Sequence, residues 1–98
     1  MRIAVPHNTT REEAKQKIEQ RLSHLEKQYG HYVTDIDKNW EGDRLHFNVK
    51  AKGMTGTGSV EITDNEVILD GKLPLMARPF ESRIKSTIER EAESMFKA

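Results

Sequence analysis

The chain has 98 residues, with sixteen basic residues balanced by sixteen acidic ones, no cysteine, and 35% hydrophobic residues. This length predicts one domain over residues 1–98. The lack of cysteine excludes disulfides and thiolate metal sites. The zero net charge argues against a dedicated nucleic-acid binder. No apolar run approaches the roughly 18 residues of a membrane span. The first residues also lack the apolar stretch of a secretory signal, so we expect a cytoplasmic protein.

The N-terminal residues predict a short strand followed by a turn. Ile3 and Val5 alternate with other residues, so they share one face of a strand that Pro6 ends. The residues that follow, HNTT, are typical of a turn. Thr10 and Glu13 then have the spacing of a capping box, which predicts that a helix begins at residue 10.

An amphipathic helix is predicted over residues 10–29. Apolar residues recur there at steps of three or four, which places them on one stripe of a helix. Gly30 follows the last of them and is a candidate C-terminal stop. The stripe consists of Ala14, Ile18, Leu22, Leu25 and Tyr29.

The next part of the chain predicts an antiparallel hairpin. The stretch HYVTDIDKNW (31–40) is extended, EGD (41–43) has the composition of a tight turn, and RLHFNVKA (44–51) alternates strictly between polar and apolar residues. Trp40 stands at the end of the first strand. We interpret it as a cap on the core at the end of the sheet in preference to a surface anchor.

Two more strands follow in the predicted sheet. KGMTGTG (52–58) is predicted to turn the chain, while SVEIT (59–63) and EVILDGKL (66–73) alternate as strands do. The glycines of 52–58 could be mistaken for a phosphate-binding loop. Such a loop runs from a strand into a helix, whereas these glycines join two strands, so we favour a hairpin or a bulge.

A second amphipathic helix is predicted over residues 79–96. The predicted order is therefore β-α-β-β-β-β-α, in which each helix has one apolar stripe and the strands have one apolar face. The fold class that buries both helix stripes and the apolar sheet face is α+β: a mainly antiparallel sheet with both amphipathic helices packed on one face. The second stripe consists of Phe80, Ile84, Ile88, Ala92, Met95 and Phe96.

No reaction chemistry is legible in the sequence, and we expect no enzyme activity and no cofactor. The carboxylate pairs lie on helix faces among basic residues, and no serine has the context of a nucleophile. The histidines lack a recognised ligand spacing, so we predict no metal site and interpret them as solvated side chains. They are His7, His24, His31 and His46.

The strongest candidate for function is the segment GKLPLMARPF, in which apolar residues surround two prolines and two cations. A structural explanation exists, because Leu73 can end a strand inward and Phe80 can begin the helix stripe. A contiguous exposed patch would instead indicate a contact surface. The candidate binding residues are Leu73, Leu75, Met76, Arg78 and Phe80.

The order of these elements resembles a known family, the polyhydroxyalkanoic acid system proteins, which are small bacterial proteins associated with polyhydroxyalkanoate granule regions. The matching stretches are PHNTTREEAK, WEGDRLHF, KGMTGTGSVEIT and LPLMARPFESRIKSTIE, which together span nearly the whole chain. The resemblance implies a cytoplasmic role linked to storage polyester, without a catalytic mechanism. On this basis the apolar segment is expected to bind the granule surface or a granule protein.

Two other classes stay open at this point. The order of elements also resembles ribosome hibernation promoting factors, which bind ribosomal RNA, although the helices here carry mixed charge. The third class is a homodimeric protein-interaction module. Its seam would be an uncovered sheet face holding Tyr32, Ile36, Trp40 and Ile68.

Overall fold

The computed structural model describes residues 1–32 and 35–97, without the side chains of Tyr29 and Tyr32. It confirms the α+β class and the predicted order of elements. The strands are β1 (Arg2–Pro6), β2 (Asp35–Glu41), β3 (Arg44–Ala51), β4 (Met54–Ile62) and β5 (Glu66–Lys72), and the helices are α1 (Arg11–Tyr29) and α2 (Glu81–Met95). Short 3₁₀ helices occupy Gly30–Tyr32 and Leu75–Phe80.

The five strands form one antiparallel sheet in the order β1-β5-β4-β3-β2. Strands β2 to β5 follow one another as a meander, and β1 pairs with β5 at the far side. The register brings one apolar residue from each strand into a single row on the helix-facing side. This row is Trp40, Leu45, Val60, Leu69 and Ile3, in order across the sheet.

The hairpin between β3 and β4 is tighter than the sequence suggested. Only Lys52 and Gly53 form the turn, and both have positive φ, as two-residue hairpins of this kind require. The prediction that the whole of 52–58 turns the chain is therefore wrong, because β4 already begins at Met54. Gly58 lies within this strand directly opposite Phe47, and the absence of a side chain leaves room for the phenyl ring.

Helix α1 begins as predicted, but its capping bonds differ in part from a capping box. The side chain of Thr10 accepts a hydrogen bond from the backbone N–H of Glu13 at 3.1 Å. The carboxylate of Glu13 accepts a hydrogen bond from the hydroxyl of Thr9. At the other end Gly30 is right-handed, with φ of −57°, so the chain continues into a 3₁₀ turn. The extended conformation predicted for residues 31–32 is thus wrong, and residues 33–34 lie outside the described ones.

Arg11 connects the start of α1 to two turns of the sheet. Its guanidinium donates hydrogen bonds to Asp43 at 2.8 Å and to Asp64 at 2.7 Å. These two bonds raise the pKa of Arg11 above its ordinary value, so the guanidinium stays charged. These bonds therefore hold the helix N-terminus at the end of the sheet where the β2–β3 and β4–β5 turns lie.

The core lies between the sheet and the two helices, and α1 contributes more to it than α2. Ala14 and Ile18 of α1 are buried, whereas no residue of α2 is buried and Ile84 is only partly covered. Phe96, immediately after α2, is buried. No helix in the described part of the chain is long and apolar enough to cross a membrane. The buried core consists of Ile3, Val5, Ala14, Ile18, Leu45, Val60, Ile62, Val67 and Phe96.

His7 is a core residue, and its interpretation as a solvated side chain is wrong. Its side chain is among the most deeply buried in the fold, and the residue is 1% exposed. Nε2 lies 2.7 Å from the carbonyl oxygen of Thr63, and Nδ1 accepts a hydrogen bond from the backbone N–H of Thr9 at 3.1 Å. Because Nδ1 accepts, Nε2 is the nitrogen that donates.

Candidate functional site

The segment that carries the candidate binding residues folds as a 3₁₀ helix between β5 and α2. Pro74 is extended, and its carbonyl accepts a hydrogen bond from the N–H of Ala77 at 2.9 Å. The ring of Pro74 lies over β4, with Cδ 3.8 Å from the position that a Cβ would take at Gly56. The start of the segment is thus packed on the sheet, and the residues after it project from this support.

The structure places three of the five candidate residues as exposed apolar side chains. Leu75 and Met76 are each 76% exposed, and Phe80 is 57% exposed. Leu73 is partly buried and Arg78 is exposed. Leu73 therefore serves the fold, whereas Phe80 does not begin a buried stripe. It precedes α2 and stays largely in solvent, because the 3₁₀ helix delays the start of α2 to Glu81.

Basic residues lie on both sides of Leu75 and Met76 in the sequence. Lys72 and Arg78 flank Leu75 and Met76 in the sequence, and Arg83 and Lys85 follow in the first turns of α2. Among the described residues no carboxylate forms an ion pair with any of these four cations. The nearby carboxylate of Glu81 lies 3.4 Å from the amino group of Met1. The segment therefore combines exposed apolar groups with unneutralised cations.

A second feature lies between the helices and the sheet, and the sequence did not predict it. An apolar groove of about 550 Å³ separates the two helices above the sheet. Leu22 and Leu25 of α1, Ile88 and Met95 of α2, and Phe47 of β3 are among the residues that line it. The apolar stripes of α1 and α2 gave no signal for it, because neither stripe determines how far apart the two helices lie.

Comparison with known proteins identifies the family of this chain. A family model described as "putative polyhydroxyalkanoic acid system protein" matches residues 1–96. The chain belongs to this family. Searches of curated proteins and of solved structures returned no match. The family match confirms the resemblance seen in the sequence, and with it the link to the polyhydroxyalkanoic acid system.

The homodimer seam predicted for this polyhydroxyalkanoic acid system protein does not exist as one surface. Ile36 and Trp40 point to the helix-facing side of the sheet, whereas Ile68 pairs with Ala4 on the opposite side. Trp40 packs against the core, and the ammonium of Lys15 lies 4.6 Å from the centre of its ring. The interpretation of Trp40 as a core cap is confirmed, and the side chain of Tyr32 lies outside the described residues.

The remaining histidines of this family member lie apart from the exposed segment and the groove. His24, His31 and His46 are exposed, and His46 Nε2 lies 3.6 Å from the carboxylate of Glu41. Over residues 1–32 and 35–97, no group of three histidine, aspartate or glutamate side chains is arranged to hold a metal ion. A shallow polar depression of about 460 Å³ on the open face of the sheet includes His46, Asn48 and Asp70.

Proposed function

We propose that the chain is a non-catalytic accessory protein of the polyhydroxyalkanoate system, acting in the bacterial cytoplasm by docking on the apolar surface of the storage granule. The observation that carries this proposal is the 76% exposure of both Leu75 and Met76 within a folded segment. Such a segment holds its apolar groups in place before contact, which reduces the ordering that binding requires. The family relationship supports the storage polyester as the surface concerned.

The size of the exposed apolar area sets the strength of docking. Fully burying a leucine, methionine or phenylalanine side chain contributes about 1.5 to 3 kcal/mol. Scaled by the exposed fractions of Leu75, Met76 and Phe80, burial of all three contributes about 3 to 6 kcal/mol before ordering costs. Without those costs this range corresponds to dissociation constants from several millimolar to roughly tens of micromolar, and the costs weaken binding further. Docking through this segment alone is therefore weak and reversible.

The unpaired cations beside the segment fit the same surface. Arg78 and Lys72 can keep their charged ends in water while their aliphatic parts lie against an apolar surface. Where the granule carries anionic lipid, the cations also attract it, and this attraction weakens with salt. We assign the attachment itself to Leu75 and Met76, so we expect it to persist at high ionic strength.

Co-sedimentation with polyester granules tests the proposal. The double variant Leu75→Ser, Met76→Ser removes the apolar groups, while the double variant Leu75→Met, Met76→Leu exchanges them and preserves the apolar surface. We expect the wild type and the exchange variant to pellet with granules and the serine variant to remain in the supernatant. Circular dichroism spectra of all three check that the fold is retained.

Protein-free polyester particles distinguish the apolar surface from a granule protein as the partner. We expect the wild type to pellet with these particles as it does with native granules. Equal pelleting by the wild type and the serine variant would remove the segment from the mechanism. Pelleting with native granules alone would show that a granule protein, and not the polyester surface, is the partner.

A further inference from the structure

The packing of α2 leaves an unusual amount of apolar surface open inside the fold. None of the residues of α2 is buried, although the helix has an apolar stripe facing the sheet. The space that it leaves is the groove of about 550 Å³ between α1, α2 and the sheet. Protein interiors are normally packed without voids of this size, and apolar cavities hold water poorly. The groove is therefore suited to an apolar occupant.

The shape and lining of the groove favour a small molecule over a protein surface. Its volume lies within the range of about 300 to 1,000 Å³ that is typical of ligand pockets. It is concave, and its walls come from both layers of the fold, including Ile36 and Phe47 from the sheet and Leu22 and Ile88 from the helices. A flat partner would leave this depth unfilled, whereas a flexible aliphatic chain would fill it.

Charged residues at the polar part of the lining indicate which end group the ligand has. Arg21 of α1 pairs with Glu91 of α2 at 2.6 Å, and Lys38 of β2 pairs with Glu26 of α1. All four residues line the groove. The side chain of Glu91 is 51% exposed, and exposed ion pairs contribute little to stability. A ligand carboxylate can therefore replace Glu91 as the partner of Arg21, and Glu91 can turn into water.

We propose that the groove binds a single aliphatic chain ending in a carboxylate, with the chain between the helices and the sheet and the carboxylate at Arg21. Lys38, which also lines the groove, is paired with Glu26, so Arg21 alone is assigned to the end group. This site is separate from the exposed segment at Leu75 and Met76, and it does not depend on granule docking. Binding replaces open apolar surface by close contacts, so it stabilises the folded protein.

Isothermal titration with decanoate, decanol and acetate as probes tests the site on the full chain. We expect saturable binding of decanoate and decanol and no heat from acetate. The variant Arg21→Gln removes the cation, and we expect it to weaken decanoate binding about tenfold while leaving decanol binding unchanged. Equal decanoate affinity in the wild type and in Arg21→Gln would overturn the assignment of the carboxylate.

A second variant separates binding in the groove from binding to the surface. Ala92→Phe fills the groove from α2, and we expect it to abolish binding of both decanoate and decanol; its thermal unfolding shows whether it is folded. If it does not fold, ¹H–¹⁵N spectra of the wild type decide, because decanoate should shift residues of the groove. Shifts confined to residues 73–80, or the absence of saturable binding, would overturn the proposal.

The double variant Leu75→Ser, Met76→Ser connects this experiment to that on granules. We expect it to bind decanoate as the wild type does, because the exposed segment is not among the residues lining the groove. Loss of decanoate binding in this variant would contradict the separation of the two sites. Sedimentation equilibrium supplies a further criterion, since a dimer that dissociates when decanoate binds would show that a second copy occupies the groove.

Discussion

Replacing Gly58 by alanine tests how closely the sheet is packed beneath the groove. A Cβ at this position would lie 2.6 Å from Cζ of Phe47 and 2.9 Å from the carbonyl oxygen of Asp70 on the neighbouring strand. The ring can move into the groove, but the carbonyl belongs to the β4–β5 ladder and cannot move without straining it. Overpacking of this kind costs about 1 to 3 kcal/mol. For a domain of this size, 2 kcal/mol lowers the Tm by about 8 to 16 °C.

Thermal unfolding followed by circular dichroism measures this effect, and Gly56→Ala is the matched control. Gly56 lies two residues earlier in β4, and a Cβ there would meet no atom closer than 3.8 Å. We expect Gly56→Ala to leave the Tm unchanged or raise it slightly. Adding Phe47→Leu to Gly58→Ala should recover part of the loss, because only the ring contact is relieved. A Tm for Gly58→Ala equal to that of Gly56→Ala would refute the reasoning.

Two further predictions concern the core. His7→Leu removes both hydrogen bonds of a buried ring and leaves the Thr63 carbonyl without its partner. We expect the free energy of unfolding, measured in urea, to fall by about 1 to 3 kcal/mol. The exposed control His24→Leu should lower it by less than about 0.5 kcal/mol. A small loss for His7→Leu would contradict its place in the core. Ile18→Asp should unfold the domain, whereas Ile84→Asp should leave it folded with a lower Tm, because Ile18 is buried and Ile84 is only partly covered. Equal effects in circular dichroism would contradict this difference.

Periodicity predicted the order of the strands and of the two α-helices in this fold. The spacing of three and four placed α1 within one residue of its observed limits, and strict alternation placed β3 at its observed limits. The same rule could have found the burial of His7. Ile3, Val5 and His7 alternate without interruption, and all three are buried. Composition overrode periodicity at this point, because a histidine followed by Asn8 was interpreted as part of a turn.

The candidate site was less predictable because it depends on how elements pack. The sequence indicated that Leu75 and Met76 were left over after the strand and helix were assigned, and they are indeed exposed. It could not indicate that Phe80 is exposed too, since this follows from a 3₁₀ helix in place of the first turn of α2. The groove was also out of reach, because the separation of α1 from α2 is not determined by either stripe alone.

The pairing of β1 with β5 has a consequence for the order in which the protein folds. Pro6 pairs with Glu66 and Arg2 with Asp70, so the first strand finds its partner only after two-thirds of the chain has been synthesised. The hairpins from β2 to β5 are local and can form sooner, because closing a short loop requires less entropy. We expect a nascent chain on the ribosome to form the β2–β3 and β3–β4 hairpins first. Until β5 emerges, Ile3 and Val5 have no partner strand, and a chaperone would bind this exposed apolar surface.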